Sequence, residues 1–123
     1  MQDDVTALEA LAKTYFDGLY EGDGDKLASI FLPTSALTHV ADGKVSITPR
    51  ATWLERVASR PSPKSQGLER DDHVLAFDVV GPDLAHLKVN CAIPPRYFTD
   101  LLSCLKVDGR WQVAQKVFMT ETR

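Results

Sequence analysis

Residues 96–118 read Arg-Tyr-Phe-Thr-Asp-Leu-Leu-Ser-Cys-Leu-Lys-Val-Asp-Gly-Arg-Trp-Gln-Val-Ala-Gln-Lys-Val-Phe, two strand-forming runs joined at Asp108-Gly109. Asp-Gly readily takes the positive φ angles of a two-residue hairpin turn, so the stretch predicts antiparallel strands over 96–107 and 110–118. Centring the hairpin there pairs Lys106 with Trp111, Cys104 with Val113, Leu102 with Gln115 and Asp100 with Val117. Side chains alternate along a strand. One face therefore collects Phe98, Leu102, Cys104, Trp111, Val113 and Val117, with Asp100 and Gln115 as its polar members. The other takes Tyr97, Thr99, Leu101, Ser103, Leu105, Gln112, Ala114, Lys116 and Phe118. The first face is the one that meets a core.

Working upstream, Pro94-Pro95 separates this hairpin from a strand over 84–93. A tight corner there sets Cys91 opposite Phe98, Val89 opposite Asp100 and Leu87 opposite Leu102, whereas a bulge at the prolines would exchange the faces of 84–93. A strand over 72–80 precedes it across Gly81-Pro82-Asp83. A second Asp-Gly hairpin, at Asp42-Gly43, joins residues 35–40 and 44–48, with Val40 opposite Val45, Thr38 opposite Ile47, and His39 opposite Ser46 on the more polar face.

The first part of the chain is helical in pattern. Leu8, Leu11, Ala12, Tyr15, Phe16, Leu19 and Tyr20 recur at three- and four-residue steps, predicting a helix over 4–21 with one buried stripe. Thr6 and Glu9 suggest a capping box at its start, and Gly22 and Gly24 its stop. A short helix over 25–31 follows, and a third runs from Thr48 as N-cap, with Pro49 at its first position, to Pro61. Residues 61–70 lack periodicity and read as an exposed loop. The fold class expected is α+β: three N-terminal helices packed in a strongly curved, mainly antiparallel six-stranded sheet, with residues 1–123 forming a single domain.

Composition narrows the function classes. The chain has 123 residues, 17 acidic against 14 basic, and a formal charge of −3. No global positive field exists to hold nucleic acid or an anionic membrane. Residues 1–31 carry seven acids and two lysines, which a solvated helix face explains. No apolar run approaches a membrane span, and the acidic N-terminus is unlike a signal peptide, so a cytoplasmic location is expected. Cys91 and Cys104 lie too far apart in register for a disulfide and read as two reduced, buried thiols. The three histidines, His39, His73 and His86, make no zinc signature, and neither metal nor cofactor is expected.

Several local motifs resemble the nuclear transport factor 2-like superfamily and, within it, the lumazine-binding-like branch. They are Tyr15-Phe16-Asp17-Gly18-Leu19-Tyr20-Glu21-Gly22-Asp23, Trp53-Leu54 through Arg60-Pro61-Ser62-Pro63, Pro95-Arg96-Tyr97-Phe98-Thr99-Asp100, and Leu105-Lys106-Val107-Asp108-Gly109-Arg110-Trp111. The resemblance covers nearly the whole chain. It implies a cone-shaped, cystatin-like fold with a cavity at the wide end, and a homodimer formed through the outer face of the sheet. Relatives of this kind include ketosteroid isomerase, scytalone dehydratase, transport factors and polyketide cyclases of the SnoaL kind, so fold does not settle function. Many relatives carry His after the Phe that ends the second helix. This chain has Leu32 after Phe31, a departure that puts a pocket role for that position in doubt.

Asp100 is the most informative candidate. A carboxylate between Phe98, Leu102, Val89 and Val117 loses hydration, as a general acid or base requires; equally, it reads as a structural carboxylate paired with Arg or Lys or capping a helix. Gln115 would hydrogen-bond a ligand carbonyl or the backbone. Tyr15, Phe16, Tyr20 and Trp53 would line a cavity between helices and sheet together with Phe98, although aromatic stripes at helical spacing also serve as plain core. His39 is a further candidate. Arg60, Lys64 and Arg70 form either an anion-attracting rim or a solvated loop.

The expected function is binding of a small, largely apolar organic ligand. The alternatives are an isomerase, dehydratase or cyclase using Asp100 as acid or base, and a protein-interaction module built on the mixed outer face.

Overall fold

The computed structural model describes residues 3–123. Helix α1 (Asp4–Glu21) and helix α2 (Gly24–Ile30) are followed by strands β1 (Ala36–Ala41) and β2 (Lys44–Pro49), helix α3 (Arg50–Ser59), and strands β3 (His73–Val80), β4 (Leu84–Ile93), β5 (Arg96–Val107) and β6 (Arg110–Thr122). The six strands form one curled but unclosed sheet in the order β2-β1-β6-β5-β4-β3. Among the described strands only β1 and β6 pair in parallel. The architecture is α+β, and the helices fill the concave side of the sheet.

α1 is capped by Asp3, whose carboxylate accepts the Thr6 amide at 2.9 Å and the Thr6 hydroxyl at 3.0 Å. The expected Thr6–Glu9 capping box therefore does not form: Asp3, one step before the helix, satisfies the free amide first. Gly22 ends the helix at φ +68°, donating its amide to the Gly18 carbonyl. Gly18 is needed for packing, because a Cβ there would lie 2.8 Å from the Leu27 side chain of α2. The buried stripe of α1 comprises Leu8, Leu11, Ala12, Tyr15, Phe16 and Gly18.

The start of α3 also differs from expectation. Thr48 remains in β2, and Pro49 is the N-cap, with no side-chain hydrogen bond. The strand ladder continues through Pro49, opposite Ala36. The Arg50 amide, which a side-chain cap would otherwise serve, donates to the Ser35 carbonyl at 3.2 Å.

The corner at Pro94-Pro95 is tight, with Ile93 opposite Arg96, Cys91 opposite Phe98, Val89 opposite Asp100 and Leu87 opposite Leu102. The disruption lies elsewhere. In β6 the register shifts after Cys104 opposite Val113: Ser103 then faces Gln115, Leu102 faces Lys116 and Asp100 faces Phe118, leaving Ala114 unpaired. The expected pairings of Leu102 with Gln115 and Asp100 with Val117 are thereby corrected. Beyond the bulge every face is exchanged, so Lys116 is buried while Gln115 is exposed and Val117 is 49% exposed. A bulge bends and twists its strand, and here it lets a long strand wrap the helices.

The core is one cluster joining Leu8, Tyr15, Leu27, Phe31, Trp53 and Val57 of the helical half to Leu87, Val89, Leu102, Cys104, Trp111 and Val113 of the sheet. Both cysteines are free. No helix among the described residues is long and apolar enough to cross a membrane.

Candidate functional site

Between α1, α3 and the concave face of the sheet lies a partly enclosed cavity of about 270 Å³. The helices contribute Phe16 and Tyr20 from α1 and Trp53 and Arg56 from α3. The β1–β2 hairpin contributes Leu37, His39 and Thr48, and the rest of the sheet contributes Cys91, Arg96, Phe98, Lys116 and Phe118. Of the candidates read from the sequence, Phe16, Tyr20, His39, Trp53 and Phe98 lie on this wall. Tyr15 and Asp100 lie immediately beneath it, each wholly buried. Gln115 is on the outer face and does not reach the cavity.

His39 arrives from the hairpin face that pattern alone reads as polar. That face turns inward because its neighbour Leu37 belongs to the core, while Val40, Val45 and Ile47 are left exposed. The His39 ring stacks on Phe118, with centroids 4.6 Å apart and planes 25° apart. Tyr20 is fixed by its hydroxyl, which donates to the Leu68 carbonyl at 2.8 Å, and by Arg70, whose guanidinium sits 5.0 Å from its ring centroid.

Lys116 is the functional candidate that the sequence reading left on the wrong face. Its ammonium stands 3.7 Å from Asp100 Oδ2, and 4.7, 5.3 and 5.4 Å from the ring centroids of Phe118, Tyr15 and Trp53. A desolvated cation is stabilised by such ring faces and by a carboxylate. The signal that would have found it was present: a face holding both Lys116 and Phe118 suits neither water nor core, and a one-residue slip in β6 resolves the conflict.

Asp100 Oδ2 also accepts the Tyr15 hydroxyl at 2.6 Å and faces the Cys91 thiol at 3.4 Å. Burial first, and then the charge of Asp100, push the Tyr15 hydroxyl well above its ordinary range, so it remains a donor. The Cys91 thiol is likewise pushed up, chiefly by burial and secondarily by Asp100. Asp100 Oδ1 and His39 Nδ1 are buried without a hydrogen-bond partner. The polar groups of the site thus form a line: Tyr15, Asp100 and Lys116, with the Lys116 ammonium reaching the cavity.

The mouth carries charge. Arg56, Arg60, Arg70 and Arg96 border it, together with Asp71 and Asp72. Arg70 is neutralised by Asp17 at 2.9 Å and Asp72 at 3.0 Å. Lys64, expected beside Arg60 and Arg70, is exposed and does not border the opening. Among the described residues, no group of three or more His, Cys, Asp or Glu side chains is placed to hold a metal ion.

Helices cradled by a curled sheet over a partly enclosed cavity give the fold seen in nuclear transport factor 2-like proteins. Two solved structures share the fold: an NTF2-like protein of unknown function from Silicibacter pomeroyi, 23% identical with TM-score 0.84 and 95% of each chain covered, and one from Methylobacillus flagellatus, 22% identical with TM-score 0.85, covering 99% of this chain and 95% of the other. Residues 3–119 match the family described as "Putative lumazine-binding", and the chain belongs to that family. It is also 25% identical, over 95% of its length and 91% of the relative's, to a protein of Cladobotryum sp. named Aldolase FrzH.

Proposed function

We propose that this protein binds a small, largely apolar organic molecule in the cavity. The carrying observation is the wall itself, in which Phe16, Trp53, Phe98 and Phe118 surround about 270 Å³, the apolar surface exceeds the polar, and the charged side chains other than Lys116 gather at the mouth. Ligand sites are of this kind, apolar walls with a few placed polar groups, and span roughly 300–1,000 Å³. The cavity lies just below that range, which favours a molecule of one or two rings. Titration with indole and 2-naphthol tests this: saturable one-to-one binding is expected, with a fluorescence change carried by Trp53 and lost in Trp53→Phe. Absence of saturable binding by either compound defeats the reading.

A second reading, acid–base catalysis at a carbonyl compound, is favoured by the line Tyr15–Asp100–Lys116 and by the similarity to a protein named an aldolase. Asp100, the acid or base expected of an isomerase, dehydratase or cyclase, does not open on the cavity. Its protons would pass through Lys116, the group that touches the ligand. Deuterium exchange next to the carbonyl of cyclohexanone in heavy water is the measurement. Exchange no faster than without protein, or no slower in Lys116→Met, eliminates catalysis.

Self-association through the outer face belongs to the same proposal. Val40, Val45, Ile47, Val117 and Met119 are half-exposed or more on that face. Burying such groups drives homodimer formation. A monomer in sedimentation equilibrium at micromolar concentration removes it.

A further inference from the structure

The charge at the cavity mouth is unbalanced in a way the apolar wall does not explain. Among the described residues, Arg56, Arg60 and Arg96 form no ion pair, although eight such pairs occur in the molecule and Arg70 on the same rim takes part in two of them. The chain as a whole carries a charge of −3. Lysines and arginines without an ion pair also occur elsewhere, at Lys44, Arg50, Lys64, Lys88 and Arg110, but Arg56, Arg60 and Arg96 are the three that border one opening, with the buried Lys116 behind them.

Arg60 is half-buried, and its guanidinium is pushed below its ordinary range, first by burial and then by the neighbouring charge of Arg96. Two cations held close together, one of them partly desolvated, are a cost to the folded protein. An arriving anion relieves it.

A purely structural account covers part of this arrangement. Arg56 lies in the last turn of α3 and Arg60 is its C-cap, where cations meet the negative end of the helix dipole. That account does not reach Arg96, which begins β5 on the opposite wall and packs with its guanidinium 6.0 Å from the Phe98 centroid. Two unrelated elements therefore direct unpaired guanidiniums to one place.

We propose that the ligand is a small organic carboxylate with an apolar ring, its carboxylate held at the mouth by Arg60 and Arg96 and its ring inserted among Phe16, Trp53 and Phe118. This deepens the ligand-binding reading and rests on it. Guanidinium is the side chain suited to grip a carboxylate with two parallel hydrogen bonds. Asp71 and Asp72 on the same rim favour a single negative charge over a phosphate dianion. Inside, the Lys116 ammonium supplies a donor, and the unpartnered His39 Nδ1 a donor or acceptor according to its tautomer, for a second polar group on the ring.

Calorimetric titration with 2-naphthoate and its uncharged counterpart 2-naphthamide decides the matter. The naphthoate is expected to bind roughly tenfold more tightly at low salt, with the advantage shrinking as salt rises. In the doubly substituted Arg60→Gln/Arg96→Gln protein, naphthoate is expected to lose about that factor while naphthamide keeps its affinity. Equal or tighter binding of the amide, or an equal effect of the substitutions on both compounds, overturns the carboxylate assignment and leaves the pocket standing. Failure of both compounds to bind overturns the pocket reading and this inference with it.

Discussion

The molecule contains two hairpins built on the same dipeptide. Asp42-Gly43 and Asp108-Gly109 adopt nearly the same turn, with φ of 52° and 75° in the first and 53° and 75° in the second. From Asp42-Gly43 the register runs unbroken from Ala41 opposite Lys44 to Ala36 opposite Pro49. From Asp108-Gly109 it runs as far as Cys104 opposite Val113 and then slips by one residue at Ala114. The turns are equivalent, so the difference comes from what the strands must do. β1 and β2 have six residues each and can remain a short ribbon. β5 and β6 have 12 and 13 and must curve around the helices. A turn sets register near itself, and packing sets it further out.

The largest test of that contrast is Lys116→Met. If the bulge places Lys116 inside, removing its charge leaves Asp100 short of a partner in the core, and stability to urea should fall by about 3–5 kcal/mol. The double variant Lys116→Met/Asp100→Asn should lose less than the two single variants combined, because the two groups share one interaction. A loss within about 0.5 kcal/mol for Lys116→Met alone would place the side chain in water and restore the unbroken register.

Alkaline titration gives a smaller effect at the last regular pair before the slip. Burial pushes the Cys104 thiol from 9.0 up to about 12. The unfolded chain therefore loses that proton first as pH rises, and unfolding becomes progressively easier. The contribution is fully present below pH 9 and is lost between pH 9 and about pH 12. Tyr15 adds to the fall above its ordinary value of 10.0. By about pH 10.5 the Cys104 part should amount to roughly 1–2 kcal/mol. Thermal melts of Cys104→Ala should show a shallower decline, and an unchanged slope would mean that the thiol is not sheltered.

The smallest effects belong to side chains that both hairpins leave outside. Gln115→Ala and Val45→Thr should each change stability by no more than about 0.5 kcal/mol. For Gln115 the result is discriminating, since the uninterrupted register buries it beside Asp100. A loss well above that bound would return it to the core face.

Most of the fold is legible in the residues. Helical spacing in 4–21, the two Asp-Gly turns and the Pro94-Pro95 corner locate the helices and strands, because each signal is local and acts on its own neighbours. Two cap assignments fail, one to a local competitor and one to a partner distant in the chain. Asp3 reaches the Thr6 amide ahead of the expected box, and the Ser35 carbonyl takes the Arg50 amide from across the chain, a partner that no window around Thr48 contains. The candidate site divides in the same way. Phe16, Tyr20, Trp53 and Phe98 follow from periodicity. Exchanging Gln115 for Lys116 does not follow from periodicity: the mixed face holding Lys116 and Phe118 signals a conflict, but nothing local at Ala114 marks where the slip falls.

The sequence by itself determined an α+β chain of three helices and six strands, its turns, and an Asp100 surrounded by apolar residues. Tertiary structure alone decided which polar groups meet Asp100 and which cations share the cavity mouth. The physical reason is one of range. Turn and helix signals act over a few residues, whereas the curvature that admits Lys116 and the approach of Arg96 to Arg60 arise only when a long sheet closes over helices distant in the chain.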